Sequence, residues 1–188
     1  CRKLAERGKR VVLVDTDLRR SMITTVYGVQ FAPGSKKQGL SHYLAGIAEK
    51  EEVLFHTNVP GMDFIPMGHE LLNPIPLLSS ERFQNLLDGL AEQYDYVIVD
   101  AAPVGVVIDA AEIAKVCDGI LLVVSYNQVH RQELIDAKNQ LEQTGCPILG
   151  TILNQVDYEG FANKKYYYKS HYSSYYKAYE KEAEEKKS

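Results

Sequence analysis

The sequence is poor in cysteine, and its cysteines are not arranged as pairs. Cys1, Cys117 and Cys146 are an odd number, and none of them stands in a C-x-x-C motif. Disulfide frameworks and structural zinc sites both need paired cysteines or metal-ligand spacing. We therefore expect free thiols in a reducing cytoplasm and no zinc site.

Long apolar runs and an excess of basic charge are also missing. The longest strongly apolar run, residues 120–124, is far too short to cross a bilayer, and no signal peptide precedes it, so we expect a soluble piece. The formal net charge is -4, and the basic clusters are short and local. This charge balance argues against nucleic acid as the main partner.

The chain has no initiator Met and no phosphate-binding loop of the form G-x-x-x-x-G-K-[ST]. Its first ten residues, CRKLAERGKR, have the pattern of the second half of a helix that stops at Gly8. We expect a fragment whose first strand and first loop precede Cys1. Without that loop, the lysine and the backbone N–H groups that hold the β- and γ-phosphates are lacking, so we expect this chain alone not to bind ATP appreciably.

Strand-like and helix-like stretches alternate along the chain. Continuous apolar runs predict buried parallel strands at residues 10–14, 62–66, 96–99, 119–125 and 148–153. Helical patterns fall between them at residues 77–93, 109–116 and 131–144, and residues 31–39 have the composition of a loop. This βαβα order predicts an α/β fold with a doubly wound, mostly parallel sheet and helices on both faces. We assign residues 1–162 to this domain and residues 163–188 to a tail.

Two of the predicted strands end in carboxylates. Asp15 and Asp17 follow the first strand in VVLVDTDLRR, and Asp100 ends the strand in YVIVDAAP. Ligands of doubly wound sheets bind beyond the carboxyl ends of the strands, and one or two carboxylates suffice for Mg²⁺. Either Asp taken alone is equally compatible with a turn or cap, but the repeated pattern favours a nucleotide-bound magnesium.

The tail is crowded with tyrosine and has no aliphatic residue larger than Ala. Its seven clustered tyrosines are Tyr166, Tyr167, Tyr168, Tyr172, Tyr175, Tyr176 and Tyr179. With nothing local for the rings to pack against, we expect a disordered, solvated segment whose phenols are potential phosphate acceptors. A low-complexity tail that stacks on a partner or on itself is the alternative.

Three stretches resemble motifs of the bacterial tyrosine kinases. VVLVDTDLRR resembles their Walker A-prime motif, YDYVIVDAAPVG resembles their Walker B motif, and the tail resembles their C-terminal tyrosine cluster. The resemblance extends to GLSHYLAG, to LLSSERFQNLLDGLAEQYDYVIVD and to ELIDAKNQLEQTGCPILGTILNQVD, and so covers nearly the whole chain. It is strongest to the stand-alone cytoplasmic kinase subunit of Gram-positive capsule and exopolysaccharide operons. These kinases belong to the deviant-Walker group of P-loop ATPases.

The resemblance implies ATP and Mg²⁺ as cofactors and a role for each motif residue. Asp15 is implied as magnesium ligand and catalytic base with Asp17 in support, and Asp100 as a magnesium ligand through water. Asn154 is implied near the adenine. Arg19 is assigned to the cofactor-binding set, with a structural ion pair to a neighbouring carboxylate as the alternative. The tail tyrosines are implied as acceptors that a neighbouring subunit phosphorylates in trans.

The family also implies partners and a location. These are a membrane-embedded activator, or polysaccharide co-polymerase subunit, a homo-oligomeric ring in the full-length protein, and a cognate tyrosine phosphatase. The location implied is cytoplasmic, with membrane association through the activator. The chain departs from the family at Ala101 and Ala102, where D-T-P-P is usual after the Walker B strand.

Two other functions share parts of this pattern. A partitioning or cell-division ATPase would have the same fold and strand-end aspartates, but would end in a membrane-targeting or DNA-binding element. A non-catalytic adaptor would be phosphorylated only by a second kinase. The tyrosine cluster favours the autophosphorylating kinase.

Overall fold

In the computed structural model, residues 1–105 and 108–156 are described. The strands are β1 (Val11–Asp15), β2 (Phe55–His56), β3 (Met62–Ile65), β4 (Tyr96–Asp100), β5 (Ile120–Ser125) and β6 (Ile148–Asn154). The helices are α1 (Arg2–Ala5), α2 (Ile23–Val26), α3 (Leu40–Leu44), α4 (Lys50–Val53), α5 (Ile75–Leu78), α6 (Glu81–Ala91), α7 (Asp109–Ala114) and α8 (Arg131–Glu142). The seven clustered tyrosines lie outside the described residues.

Four strands form one sheet in the order β2-β3-β1-β4. β1 pairs in parallel with both β3 and β4, while β2 is an antiparallel edge strand beside β3. Val11, Val12 and Val14 of the central strand have no solvent exposure, as the continuous apolar run predicts for a covered parallel strand. Because β1 and β4 are in register, Asp15 lies opposite Asp100. The predicted α/β fold with mostly parallel strands is confirmed.

β5 and β6 form a second, two-stranded parallel ladder. Within the described residues this ladder is separate from the four-stranded sheet, so the predicted strands are present as two sheets. Leu121 and Val123 of β5, with Leu149 and Leu153 of β6, are all exposed. The prediction of buried strands is therefore wrong for β5 and β6, because their ladder presents apolar side chains to solvent.

The hydrophobic core lies between the four-stranded sheet and the helices packed on it, which include α3, α4, α5 and α6. α6 contributes the largest part, because its buried residues recur with the period of a helix: Phe83, Leu86, Leu87 and Leu90. They pack with Val12 and Val14 of β1 and with Ile65 of β3. This burial fixes β1, and with it the position of the strand-end aspartates.

The predicted helix over residues 77–93 is wrong in one respect, since it is two helices. α5 ends at Leu78 and α6 begins at Glu81. Ser80 between them has an extended backbone, and its hydroxyl accepts a hydrogen bond from the N–H of Phe83, 3.3 Å away. Serine at an N-cap satisfies an orphan amide of the new helix, so the break is a cap that the hydrophobic pattern concealed.

The start of α3 crosses closely over the segment that follows β3. The N–H groups of Leu40 and Ser41 donate to the carbonyls of Pro66 and Met67, at 2.7 and 2.8 Å. A Cβ added to Gly39 would lie 2.3 Å from the Pro66 oxygen and 2.4 Å from the nitrogen of Gly68. Only glycine permits this approach.

The structure also tests the expectations for the first helix, for membrane-spanning segments and for the cysteines. α1 is followed by a turn in which Gly8 has a φ of 79°, as expected for a helix that stops at a glycine. Across residues 1–105 and 108–156, every helix is too short or too polar to span a membrane. The three cysteines are free thiols.

Candidate functional site

The carboxyl ends of β1 and β4 bring two predicted site residues side by side. Asp15 and Asp100 are register partners at the last position of their strands. The next residue, Thr16, donates both its N–H and its hydroxyl to the carbonyl of Asp100, at 2.8 and 2.5 Å. These two bonds hold the strand ends together beyond the last ladder pair.

Asp15 is fully buried, yet only one of its carboxylate oxygens has a partner. The hydroxyl of Ser21 donates to Oδ2, whereas the buried Oδ1 has no hydrogen-bond partner among the described residues. Burial raises the pKa of Asp15 to about 7, against the opposing effect of the Ser21 hydrogen bond. The negative charges of Asp100 and Asp17 raise this pKa further.

Asp17 is buried and shapes the turn that follows β1. Its Oδ1 accepts hydrogen bonds from the backbone N–H groups of Arg19 and Arg20, at 3.3 and 3.0 Å. Side-chain oxygens of Asp commonly close turns in this way. The turn-forming role that the sequence left open is therefore real for Asp17, and its charge also acts on the other two aspartates.

Asp100 is the most accessible of the three aspartates. Although the residue is exposed, partial burial of its carboxyl raises its pKa, and the charge of Asp17 raises it further. Asp15 and Asp100, neighbouring carboxylates whose pKa values are both raised, form a site where a cation would be favourable.

Arg19 forms a buried, bidentate ion pair with Asp109. Its Nε and Nη2 donate to Oδ2 and Oδ1 of Asp109, at 2.6 and 3.0 Å. Its Nη1 donates to the carbonyl of Leu72, at 3.0 Å. The structural ion pair that the sequence offered as an alternative is present. The assignment of Arg19 to a nucleotide stays a prediction.

Asn154 lies apart from the aspartates in sequence and in sheet. It ends β6, where its carbonyl accepts from the N–H of Tyr126 at 2.8 Å, and its Oδ1 accepts from the N–H of Gln155 at 2.9 Å. The residue is exposed. Its position at a carboxyl strand end suits a ligand contact, and the adenine contact stays a prediction.

The aspartates fit a magnesium ion whose coordination shell is completed by other ligands. Within residues 1–105 and 108–156, no three His, Cys, Asp or Glu side chains converge to enclose a metal by themselves. Mg²⁺ usually takes only one or two protein carboxylates, with waters and substrate phosphates supplying the rest. The unpartnered Oδ1 of Asp15, beside Asp100, is an available ligand of this kind.

Two residues of the site were missed by sequence reasoning. Ser21 stands six residues after Asp15, and nothing in its spacing marks it as a partner. Asp109 was visible in the sequence as the first residue of a predicted helix. Acidic residues are common at helix N-termini, so this position did not indicate an ion pair. Its pairing with Arg19, which is 90 positions away in sequence, could not be predicted from any local pattern.

A mostly parallel sheet with carboxylates at the carboxyl ends of adjacent strands is the arrangement of an α/β domain that binds its ligand beyond these strand ends. Comparisons with known proteins refine this class. A family model described as an AAA domain matches residues 1–146. The tyrosine-protein kinase CpsD of Streptococcus agalactiae serotype III (strain NEM316) is 38% identical over 154 residues. That match covers 82% of this chain and 65% of the CpsD protein.

Solved structures give the same result. The kinase domain of the Escherichia coli tyrosine kinase ETK has a TM-score of 0.78 at 34% identity, with 90% of this chain and 64% of that chain covered. The septum site-determining protein MinD from Pyrococcus horikoshii OT3, complexed with Mg-ADP, has a TM-score of 0.65 at 22% identity, covering 86% of this chain and 63% of that one. The likeness to MinD concerns the fold alone. The chain belongs to the AAA-domain family of that model and to the bacterial tyrosine kinases.

Proposed function

We propose that this chain is part of an ATP-dependent protein-tyrosine kinase that autophosphorylates its C-terminal tyrosine cluster in trans. The observation that carries the proposal is the buried Asp15 carboxylate, which lies beside Asp100 and has one oxygen without a partner. Family membership supports a kinase, and seven closely spaced tyrosines supply acceptors in the same chain.

The residues of the site have distinct roles in this proposal. Asp15 would hold Mg²⁺ directly and Asp100 would hold it through water, and the bound ion would supply charge neutralisation at the phosphates. Asp15 also accepts the proton of the acceptor tyrosine hydroxyl, as the general base. Asp17 supports Asp15 by closing the turn that follows β1. Asn154 contacts the adenine.

Positioning and charge neutralisation carry most of the catalysis in phosphoryl transfer. A preformed group of neighbouring aspartates contributes to both, because it needs little rearrangement when the nucleotide arrives. The phosphate-binding loop of this reaction belongs to a G-x-x-x-x-G-K-[ST] segment that the 188 residues do not contain. The activity is therefore proposed for the protein that includes such a segment.

The proposed setting is the synthesis and export of capsular or other extracellular polysaccharide. The kinase would be cytoplasmic and attached to the membrane through an activator, which is the polysaccharide co-polymerase subunit. It would form a homo-oligomeric ring, and a cognate phosphatase would reverse its modification. Each phosphate adds about 1.5 to 2 negative charges, so several on one tail would oppose docking into a neighbour and convert rings to monomers. Sedimentation before and after phosphorylation measures this change of mass.

Intact-mass spectrometry tests the kinase directly. The chain is extended upstream through a G-x-x-x-x-G-K-[ST] loop and incubated with Mg-ATP and the cytoplasmic segment of the activator. We expect successive phosphate additions on the peptide spanning residues 166–179, and none in an Asp100→Ala control. A variant with all seven tyrosines changed to Phe keeps the site intact and should accept no phosphate on this peptide.

The outcomes separate the alternatives. ATP hydrolysis without tyrosine modification would contradict the proposal and favour a partitioning-type ATPase. Phosphate addition only when a second kinase is present would contradict it in favour of an adaptor. Additions that persist in the Asp100→Ala variant would contradict the role given to that aspartate.

A further inference from the structure

One guanidinium joins three segments at the edge of the sheet that carries the aspartates. Arg19 comes from the turn after β1, Leu72 from the segment after β3, and Asp109 is the first residue of α7, which follows β4. Three of the Arg19 nitrogens donate across these segments, two to the Asp109 carboxylate and one to the Leu72 carbonyl. The segments that follow β1, β3 and β4 are thus joined by the side chain of Arg19.

The pair is buried, which makes its geometry specific. The side chains of Arg19 and Asp109 are 10% and 1% exposed. A bidentate contact between a guanidinium and a carboxylate fixes both distance and orientation, and loss of one partner leaves the other charge buried and uncompensated. The turn after β1 and the start of α7 therefore have one favourable arrangement relative to each other.

The pair is connected directly to the turn that holds Asp17. Oδ1 of Asp17 accepts the backbone N–H of Arg19 itself. The preceding residue, Leu18, is fully buried, and its carbonyl accepts the N–H of Leu71 at 2.7 Å. A shift of the Arg19 side chain would therefore be transmitted to the backbone that positions Asp17.

We propose that Asp109 is a positioning residue, which through Arg19 holds the Asp17 turn against the segment that follows Asp100. Arg19 acts on the site through this pair rather than by contact with the nucleotide. The inference rests on the proposed phosphoryl transfer for its purpose. The mechanical part of it concerns only the described residues and can be tested without catalysis.

The first test uses amide hydrogen exchange on the 188-residue chain. Asp109→Asn keeps the shape of the side chain but removes the charge, and is compared with Glu112→Gln on the same helix. Glu112 bonds Lys115 and Ser79 at the surface, so its variant is a matched control. We expect exchange in the peptide covering residues 16–21 to become about tenfold faster in Asp109→Asn and to stay unchanged in Glu112→Gln. Equal exchange in all three proteins would overturn the proposal, whatever the kinase assay gives.

The second test uses the kinase extended through its phosphate-binding loop. Asp109→Asn and Arg19→Lys should each lower kcat by about 10- to 100-fold with little change in KM for Mg-ATP, because displaced groups slow the transfer step. Adding Asp109→Asn to Arg19→Ala should cause no further loss, since Asp109 acts only through Arg19. Weaker nucleotide binding in Arg19→Ala, with wild-type kinetics in Asp109→Asn, would overturn the proposal in favour of a direct nucleotide contact. An inactive wild-type protein would contradict the proposed function and leave the exchange result to decide the positioning role.

Discussion

The hydroxyl of Ser21 donates to Oδ2 of Asp15 and leaves Oδ1 buried without a partner. Asp15 therefore has one oxygen that is held by the protein and one that is available. An unsatisfied buried carboxylate oxygen costs folding free energy, and it is tolerated where a ligand completes it. This asymmetry distinguishes a binding site from a fully satisfied structural carboxylate. The burial of Asp15, which raises its pKa, makes the stability of the chain depend on pH.

The metal-free chain should lose stability as the pH rises towards neutrality. The pKa of Asp15 is raised from 3.8 to about 7 in the folded protein, so between these values the folded form holds a proton that the unfolded form has lost. The free energy of unfolding should fall by about 4 kcal/mol over this interval. Asp100, whose pKa is also raised, adds a slope of the same sign. Urea unfolding at a series of pH values measures the effect.

Asp15→Asn provides the matched control for this dependence. It keeps the size of the side chain and removes the charge, so it should be more stable than the wild type at about pH 8. Most of the pH dependence between 4 and 7 should disappear, with the Asp100 contribution remaining. A variant that keeps the full wild-type slope would show that Asp15 is not the titrating group.

Replacement of Ser21 tests the other half of the same contact. The hydrogen bond from Ser21 stabilises the Asp15 carboxylate and lowers its pKa, so Ser21→Ala should raise that pKa above the wild-type value. The loss of stability with pH should then extend to higher pH, and Ser21→Thr, which keeps the hydroxyl, should restore the wild-type profile. Titration of the Asp15 carboxyl carbon by NMR measures the shift. An unchanged pKa in Ser21→Ala would contradict the contact.

The strands were predictable because each is a short apolar run whose ends are marked by charge or a turn residue. β1 and β4 end at the aspartates that terminate their runs, Asp15 and Asp100. The helices α2, α3 and α4, each of four or five residues, and the two-residue β2 were not predicted. They are too short for a hydrophobic period to emerge, and they form through tertiary contacts.

The site was predictable only for those residues that belong to a recognisable sequence motif. Asp15, Asp17 and Asp100 could be placed at one sheet edge, because parallel strands put their carboxyl ends together. The Arg19–Asp109 pair spans 90 positions, and Ser21 acts through a turn whose course is set by Asp17. No local pattern specifies such contacts, since they depend on how the loops fold over the strands.

Replacement by Ala should have opposite effects on stability at Gly39, in the close crossing at the start of α3, and at Gly89, in α6. Gly39→Ala would place a methyl group 2.3 Å from the Pro66 oxygen, so it should destabilise the fold by about 2 kcal/mol or more. Gly89, inside α6, has no atom within 4 Å of an added Cβ, and Gly89→Ala should stabilise by about 0.5 to 1 kcal/mol. Urea unfolding of both variants measures the difference. Equal stability of the two variants would contradict the close approach.

Nucleotide affinity should depend on a segment that the 188 residues do not contain. The aspartates can hold a cation, but the β- and γ-phosphates need a loop of backbone N–H groups and a lysine, and no G-x-x-x-x-G-K-[ST] sequence is present. Calorimetry of the 188-residue chain with Mg-ATP should therefore detect no appreciable binding. A version of the chain that is extended to include a G-x-x-x-x-G-K-[ST] loop should bind Mg-ATP with micromolar affinity, and Asp100→Ala should weaken this binding. Micromolar affinity in the 188-residue chain would show instead that the strand-end residues bind the nucleotide without the loop.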